Sequence, residues 1–228
     1  MLVVKRASER ERSFRRPLNW RRCTPGVQVG RPHLTHMALS LRPATVADIP
    51  ALNALIERSA RQLSIGFYTP AEIDAAVRYV FGVDTTLVGD GTYFVVHDGE
   101  VLAGCGGWSR RRTLYGGDQR PVEVGSAAGA PSDQLQPGVD AAKVRAFFVS
   151  PDFARRGVGR FLLDACLSAA RAAGFTKVEL MATLPGVPFY AALGFRPVRE
   201  VTDPLPDGTP LRFVQMDRDI SHPEPTAS

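Results

Sequence analysis

Apolar and polar positions along this chain follow two rhythms, one near 3.6 residues and one near two, and the shifts between them mark its elements. Leu39 to Arg42 predicts a short strand that stops at Pro43. Thr45-Val-Ala-Asp48 has the form of a capping box, and Ile49, Leu52, Leu55 and Ile56 follow at helical spacing, with Asn53, Glu57 and Arg58 facing away. A second helix opens at Thr69-Pro-Ala-Glu72, with Thr69 as N-cap and Pro70 in the first turn. Its apolar side is Ile73, Ala76, Val77 and Val80. The rhythm then changes to strands. Thr92 to His97 and Val101 to Gly107 are β-rich runs on either side of Asp98-Gly99, a hairpin turn pair.

From Arg110 to Ala142 the chain is rich in Gly, Pro and Arg and has little periodicity, which reads as a functional flap or a long loop. Val144 to Val149 predicts a strand ended by Ser150-Pro151. A turn through Arg155 to Arg160 leads into a helix that runs to about Ala173, capped by Gly174. Arg160, Asp164, Ser168 and Arg171 form one polar stripe on it. Leu162, Leu163, Cys166, Leu167, Ala169 and Ala170 leave the other faces apolar, so the helix should be largely buried. Lys177 to Leu184 is the next strand, Pro188 to Leu193 a short helix stopped by Gly194, and Val198–Val201 and Leu211–Met216 a closing hairpin around Pro206-Asp-Gly208. The class is α/β with a strand–turn–helix–strand unit late in the chain.

Charge changes this picture only when it is divided. Of 28 basic and 23 acidic residues, nine basic and two acidic precede Met37, leaving nineteen against twenty-one beyond it. The basic character therefore belongs to residues 1–36. Three readings of that leader stand side by side: a disordered basic arm, an organelle transit peptide opposed by Glu9 and Glu11, or a mis-called start with Met37 as the natural beginning. One domain is expected over 37–220, with a disordered tail over 221–228. Cys23, Cys105 and Cys166 are scattered without CxxC spacing, so neither a zinc site nor a disulfide framework is indicated, and a reducing, cytoplasmic setting is the plain reading. His33, His36, His97 and His222 suggest no metal cluster. No apolar run approaches the roughly 20 residues of a membrane helix.

The segment Val149-Ser-Pro-Asp-Phe-Ala-Arg-Arg-Gly-Val-Gly-Arg160 carries the chemistry. A strand enters a loop holding Arg155, Arg156, Gly157 and Gly159, and the loop opens directly into a helix. Free amides at a helix N-terminus bind anions, glycines let a ligand near the backbone, and arginines add charge. The alternative is a plain tight turn with solvated arginines. A Walker A loop would need Gly-Lys-Ser/Thr, which is missing; a dinucleotide fingerprint would need a small residue where Leu162 stands, although Glu179 keeps that option open.

"FFVSPDFARRGVGRFLL" resembles motif A of the GNAT acetyltransferases, and "PFYAALGF", from Pro188 to Phe195, resembles their motif B. The two stand one helix and one strand apart, as in that family. The resemblance spans about Leu39 to Asp217. It implies a mixed, mostly antiparallel twisted sheet flanked by helices, with two central parallel strands that splay to admit the pantetheine arm. It also implies acetyl-CoA as co-substrate without a metal, an amine acceptor attacked in a ternary complex, and frequent homodimers; neither membrane nor nucleic acid is an expected partner. One departure is Ala154, where the family has Gln or Arg three residues before the first glycine.

By the same resemblance, Phe147, Phe148 and Val149 would line the pantetheine arm, and Arg155, Arg156, Gly157, Val158, Gly159 and Arg160 would hold the pyrophosphate. Tyr190 would protonate the departing thiolate; the alternative is a packed aromatic. An amine with a lysine-like pKa is only about one part in a thousand neutral at pH 7, so a base or water relay is expected. Glu179, Asp118 and Asp140 are candidates, each equally readable as an ordinary carboxylate. Arg110, Arg111, Arg112 and Tyr115, beside Trp108, read either as a cradle for an anionic acceptor or as a solvated basic turn. Competing functions are a non-catalytic acyl-CoA-binding module, a nucleic-acid binder acting through the leader, and an NAD-type oxidoreductase.

Overall fold

The computed structural model describes residues 38–114, 118 and 134–221. The basic leader, Cys23, His33, His36, Tyr115, His222 and most of the 110–142 stretch lie outside the described residues.

Seven strands form one sheet: β1 (Leu39–Pro43), β2 (Tyr93–Asp98), β3 (Val101–Ser109), β4 (Ala142–Val149), β5 (Lys177–Thr183), β6 (Arg196–Pro204) and β7 (Pro210–Asp219). Their order across the sheet is β1-β2-β3-β4-β5-β7-β6. Every neighbouring pair is antiparallel except β4 and β5. Parallel neighbours require a crossover, and α4 (Val158–Ala172) supplies it. The β2–β3 hairpin turns at Asp98-Gly99, where Gly99 takes a φ of 58° that a side chain would resist.

Helices cover both faces. On one side, α1 (Ile49–Leu63) and α2 (Pro70–Tyr79) bury Leu52, Leu55, Ile56, Ile73 and Ala76 against Val95, Cys105 and Phe213 of the sheet. On the other, α4 and α5 (Val187–Ala192) pack on Val144, Val178, Leu180 and Met216. The helical stripe read from the sequence holds: Leu162, Leu163, Cys166, Leu167 and Ala170 are buried, whereas Arg160, Asp164 and Ser168 are exposed. Arg171, at the end of that stripe, reaches the Ile220 carbonyl at 3.0 Å.

Capping agrees with the sequence and adds detail. Glu72 N–H donates to the Thr69 hydroxyl at 3.2 Å, and Glu72 answers by accepting from Thr69 N–H at 2.7 Å. At Thr45, Asp48 accepts from the Thr45 amide and hydroxyl at 2.7 and 2.8 Å, and Arg42 grips the same carboxylate.

The sequence rhythm misses α3 (Thr85–Gly89), since five residues are too few to show a period. Asp84 starts it by accepting from Leu87 N–H at 3.2 Å. β4 begins two residues before the expected Val144, because Ala142 and Lys143 pair with Val178 and Glu179. No helix among the described residues is long and apolar enough to cross a membrane.

Candidate active site

The parallel strands β4 and β5 are joined over three residue pairs only, Ala142 to Val144 against Val178 to Leu180. Beyond that point β4 runs on to Val149 and β5 to Thr183 without pairing to each other, so the sheet opens in a V. A bulge in β4 accompanies the opening. Between the pairs Gly107↔Arg145 and Cys105↔Phe148, β3 advances two residues while β4 advances three. Ala146 carries the irregularity at a φ of 49°, a left-handed conformation that is costly for a residue with a side chain.

The neighbourhood holds Ala146 there. The hydroxyl of the fully buried Tyr93 donates to the Ala146 carbonyl at 2.8 Å. On β3, a Cβ at Gly106 would stand 2.6 Å from the Phe147 ring, and one at Gly107 would stand 2.5 Å from the Thr92 carbonyl. Glycine at those positions lets β2, β3 and the bulge close up.

A cavity of about 420 Å³ fills the V and crosses the sheet. On the α4–α5 side its wall includes Arg155, Gly157, Gly159, Arg160, Phe189 and Tyr190. On the α1–α2 side it includes Ser59, Leu63, Ser64, Val80 and Phe81. Phe147, Phe148 and Val149 line it between the two.

The loop from β4 to α4 is shaped by its own residues. Ser150 N–H bonds the Ala103 carbonyl at 2.9 Å, and a single 3-10 turn spans Pro151–Phe153. Arg58 of α1 reaches Asp152 at 2.8 Å, and Arg156 lies over the Phe153 ring at 5.2 Å. Arg155 and Gly157 take φ values of 61° and 88°, and Gly157 is the N-cap of α4. The first helical bond there is Phe161 N–H to Gly157 O at 2.9 Å, so the amides of Val158, Gly159 and Arg160 precede it and lack intrahelical partners. With the helix dipole behind them, these amides suit an anion.

The two glycines of the turn differ in kind. Nothing lies within 4 Å of a Cβ built on Gly157, so its backbone is open. A Cβ on Gly159 would meet the Phe189 ring at 3.1 Å, so Gly159 serves the packing of α4 on α5 as well as the cavity wall. The side chain of Val158 is core, packed with Phe153 and Leu162, and only its backbone faces the turn. Arg156 is exposed and lies outside the cavity wall.

Tyr190 sits in α5 within an aromatic cluster, its ring 5.0 Å from Phe189, 5.5 Å from Phe195 and 6.2 Å from Phe147. Burial pushes its phenol well above the ordinary tyrosine range, so it keeps its proton.

None of the three candidate bases lines the cavity. Glu179 accepts from Lys143 and, at 2.9 Å, from the Gln215 amide, at the closed end of the V. Asp118 accepts from the Thr85 amide and hydroxyl, each at 3.0 Å, and Asp140 from Gln136 N–H at 2.8 Å. The arginine run does not converge on the cavity either. Arg111 makes two bonds to Asp90, at 2.8 and 2.9 Å, and Arg110 lies 5.8 Å over Trp108. No group of three or more metal-ligating side chains occurs among the described residues.

Two features of the site were not read from the sequence. One is Tyr93, whose role depends on a bulge that no local pattern signals; the three glycines Gly104, Gly106 and Gly107 in one strand were the available hint of close backbone approach. The other is the buried ion pair of Arg145 with Asp84 at 2.6 Å, on the α1–α2 face beneath the bulge. Burial pushes the Asp84 carboxyl up, and Arg145 holds it back.

A splayed β4–β5 pair beside a glycine-arginine turn with free helical amides is an α/β fold built around an anion-binding cleft, and comparison with known proteins gives it a family. The family model for the acetyltransferase (GNAT) family matches residues 58–195, more than half of the chain, and the chain belongs to that family. Among solved structures, a GCN5-related N-acetyltransferase from Rhodopseudomonas palustris is 18% identical, with 79% of this chain and 94% of that chain covered and a TM-score of 0.57. The PaiA N-acetyltransferase from Thermoplasma acidophilum, in complex with coenzyme A, is 12% identical over 80% of this chain and 99% of its own, with a TM-score of 0.52. YncA from Salmonella typhimurium, with its cofactor acetyl-CoA, is 15% identical over 83% and 99%, also at 0.52. At these identities the likeness is one of fold. No functionally curated protein matches the chain.

Proposed function

We propose that this chain transfers the acetyl group of acetyl-CoA to an amine. The observation that carries the reading is the cavity through the sheet, which joins the amide-lined turn before α4 on one face to a separate chamber under α1 and α2 on the other. Two substrates can thus meet between β4 and β5 without sharing an entrance. The coenzyme A and acetyl-CoA recorded for PaiA and YncA support the same donor here.

In this reading the amine nitrogen bonds to the acetyl carbon as the carbon–sulfur bond breaks, and coenzyme A leaves with a proton. The amides of Val158, Gly159 and Arg160 hold the pyrophosphate, with Arg155, Arg156 and Arg160 adding charge. Phe147, Phe148 and Val149 flank the pantetheine arm. The bulge at Ala146 frees β4 backbone groups from β5 along that path, where an N–H can stabilise a developing oxyanion. Tyr190 supplies the proton to the sulfur, a role open to a phenol that carries its proton at neutral pH and lines the cavity. The amine gives its proton to water, since the ionisable side chains of the described cavity wall are three arginines and Tyr190.

Thermal unfolding with acetyl-CoA, and with NAD and ATP as controls, tests the donor. At about 100 times the dissociation constant, stabilisation of about 2.7 kcal/mol is expected from acetyl-CoA alone. No shift at saturation would overturn the reading.

A further inference from the structure

The chamber under α1 and α2 has a definite chemistry. Its wall is built from Leu63, Val80, Phe81, Phe148, Met181 and Phe213, with the small hydroxyls of Ser59, Ser64 and Thr183 among them. Phe81 and Phe148 meet edge to face at 5.6 Å, which fixes a flat aromatic corner. The one ionisable side chain on this side of the described wall, Arg145, is bound to Asp84 at 2.6 Å, so the pair brings no net charge to the chamber.

The segment that follows α1 also exposes apolar side chains. Leu63 is 36% exposed, Ile65 73% and Phe67 44%, three large hydrophobic side chains within five residues of the connection from α1 to α2. Leu63 belongs to both surfaces, since it also lines the cavity. Large hydrophobic side chains exposed close together in the chain, next to one that lines the cavity, offer a binding surface. An acceptor that entered here with a second charge would leave its water without an opposite charge to meet it.

We infer that the acceptor is an apolar primary monoamine, an amino group carried on an aromatic or alkyl body without a second charge. This rests on the acetyl-transfer reading and narrows it. The body would lie against Phe81, Phe148 and Phe213 and extend past Leu63 onto Ile65 and Phe67. The amino group would point through the V toward the thioester. Polyamines, aminoglycosides, free amino acids and lysine peptides carry further charges and fit the chamber poorly.

The test uses the full chain with acetyl-CoA and follows thiol release. The probes are 2-phenylethylamine and hexylamine, set against spermidine, kanamycin, leucine and a lysine-containing peptide. The apolar amines are expected to give the higher kcat/KM by about tenfold or more, the scale on which an apolar pocket discriminates. The Leu63→Glu variant should raise KM for 2-phenylethylamine about tenfold while the affinity for acetyl-CoA, read by calorimetry, stays unchanged; Leu63→Met should restore KM. If acetyl-CoA binds and a multiply charged amine is the better acceptor, the apolar assignment is wrong and the donor reading stands. If Leu63→Glu leaves KM unmoved, the assignment is likewise overturned. Failure of acetyl-CoA to bind would remove both.

Discussion

Tyr93 of β2 donates its hydroxyl proton to the carbonyl of Ala146 across the width of β3, and so holds a left-handed residue in the middle of β4. The two residues are 53 positions apart in the chain, and neither is polar in a way that a surface would explain. The bond satisfies a carbonyl that the bulge takes out of the ladder. It does so immediately before Phe147 and Phe148, which line the cavity in the V.

The Tyr93→Phe variant removes that bond and keeps the ring. Leaving a buried carbonyl without its partner costs about 1–3 kcal/mol, which chemical denaturation would show. The more telling readout is kinetic. If the bulge sets the amide geometry at the thioester, kcat should fall while the dissociation constant for acetyl-CoA hardly changes. A parallel loss of binding and turnover would instead mean that β4 as a whole had shifted.

The two glycines of the turn should respond differently to the same change. Gly157→Ala adds a methyl into open space but at a φ of 88°, where a side chain costs about 1–2 kcal/mol. Its cap at α4 would reorganise, so acetyl-CoA affinity should drop, by about tenfold if that cost falls on the bound state. Gly159→Ala adds a methyl at ordinary φ but 3.1 Å from the Phe189 ring. The ring must move, and Tyr190 is the next residue on α5. Turnover should therefore suffer more than binding, which calorimetry together with steady-state kinetics can separate.

Much of this site was legible because the residues that make it also make local structure. Gly157 both ends a loop and caps a helix, so its motif is visible in a window of a dozen residues, as is the Pro188–Phe195 segment that carries Tyr190. The elements around them follow for the same reason, and the stripe on α4 matched except at Ala169 and Arg171, which are half-buried. What stayed hidden depends on partners far apart in sequence. Glu179 stands on a strand beside the cavity, but its pairing with Lys143 appears only when β4 and β5 come into register. Arg145 looks like a polar residue in a strand, and only Asp84, 61 positions earlier, explains how it is buried. Arg111 read as part of a cationic run until Asp90 was found against it.

The Arg111–Asp90 pair gives a pH dependence of known sign. The guanidinium holds the Asp90 carboxyl below the usual carboxylate range, so its folded pKa is lower than its unfolded one. The stabilisation is then complete above the unfolded value of about 3.9 and is lost as pH falls through the folded value. Because the pair is only partly shielded from water, its size should stay near 1 kcal/mol or below. Asp90→Asn is expected to lower the unfolding midpoint at pH 7 and to differ progressively less from the parent as the pH is taken below 4. A difference that grew on acidification would mean that the parent carboxylate is not held low.

The strongest test of mechanism is Tyr190→Phe. The change deletes one oxygen from a ring held by Phe147, Phe189 and Phe195, all of which contact it through carbon faces and edges. Stability and acetyl-CoA affinity should therefore move little. If the phenol delivers the proton to sulfur, kcat should fall by about 10²–10⁴, the range for a positioned general acid. The pH profile adds an independent check, since burial places the titration of Tyr190 well above ordinary tyrosine and no basic limb from it should appear up to pH 9. A further discrimination comes from the leaving group. Acetyl donors whose thiols are more acidic need less help on departure, so the deficit of Tyr190→Phe should shrink with them. A variant that turned over normally with every donor would make Tyr190 a packing residue and leave protonation to solvent.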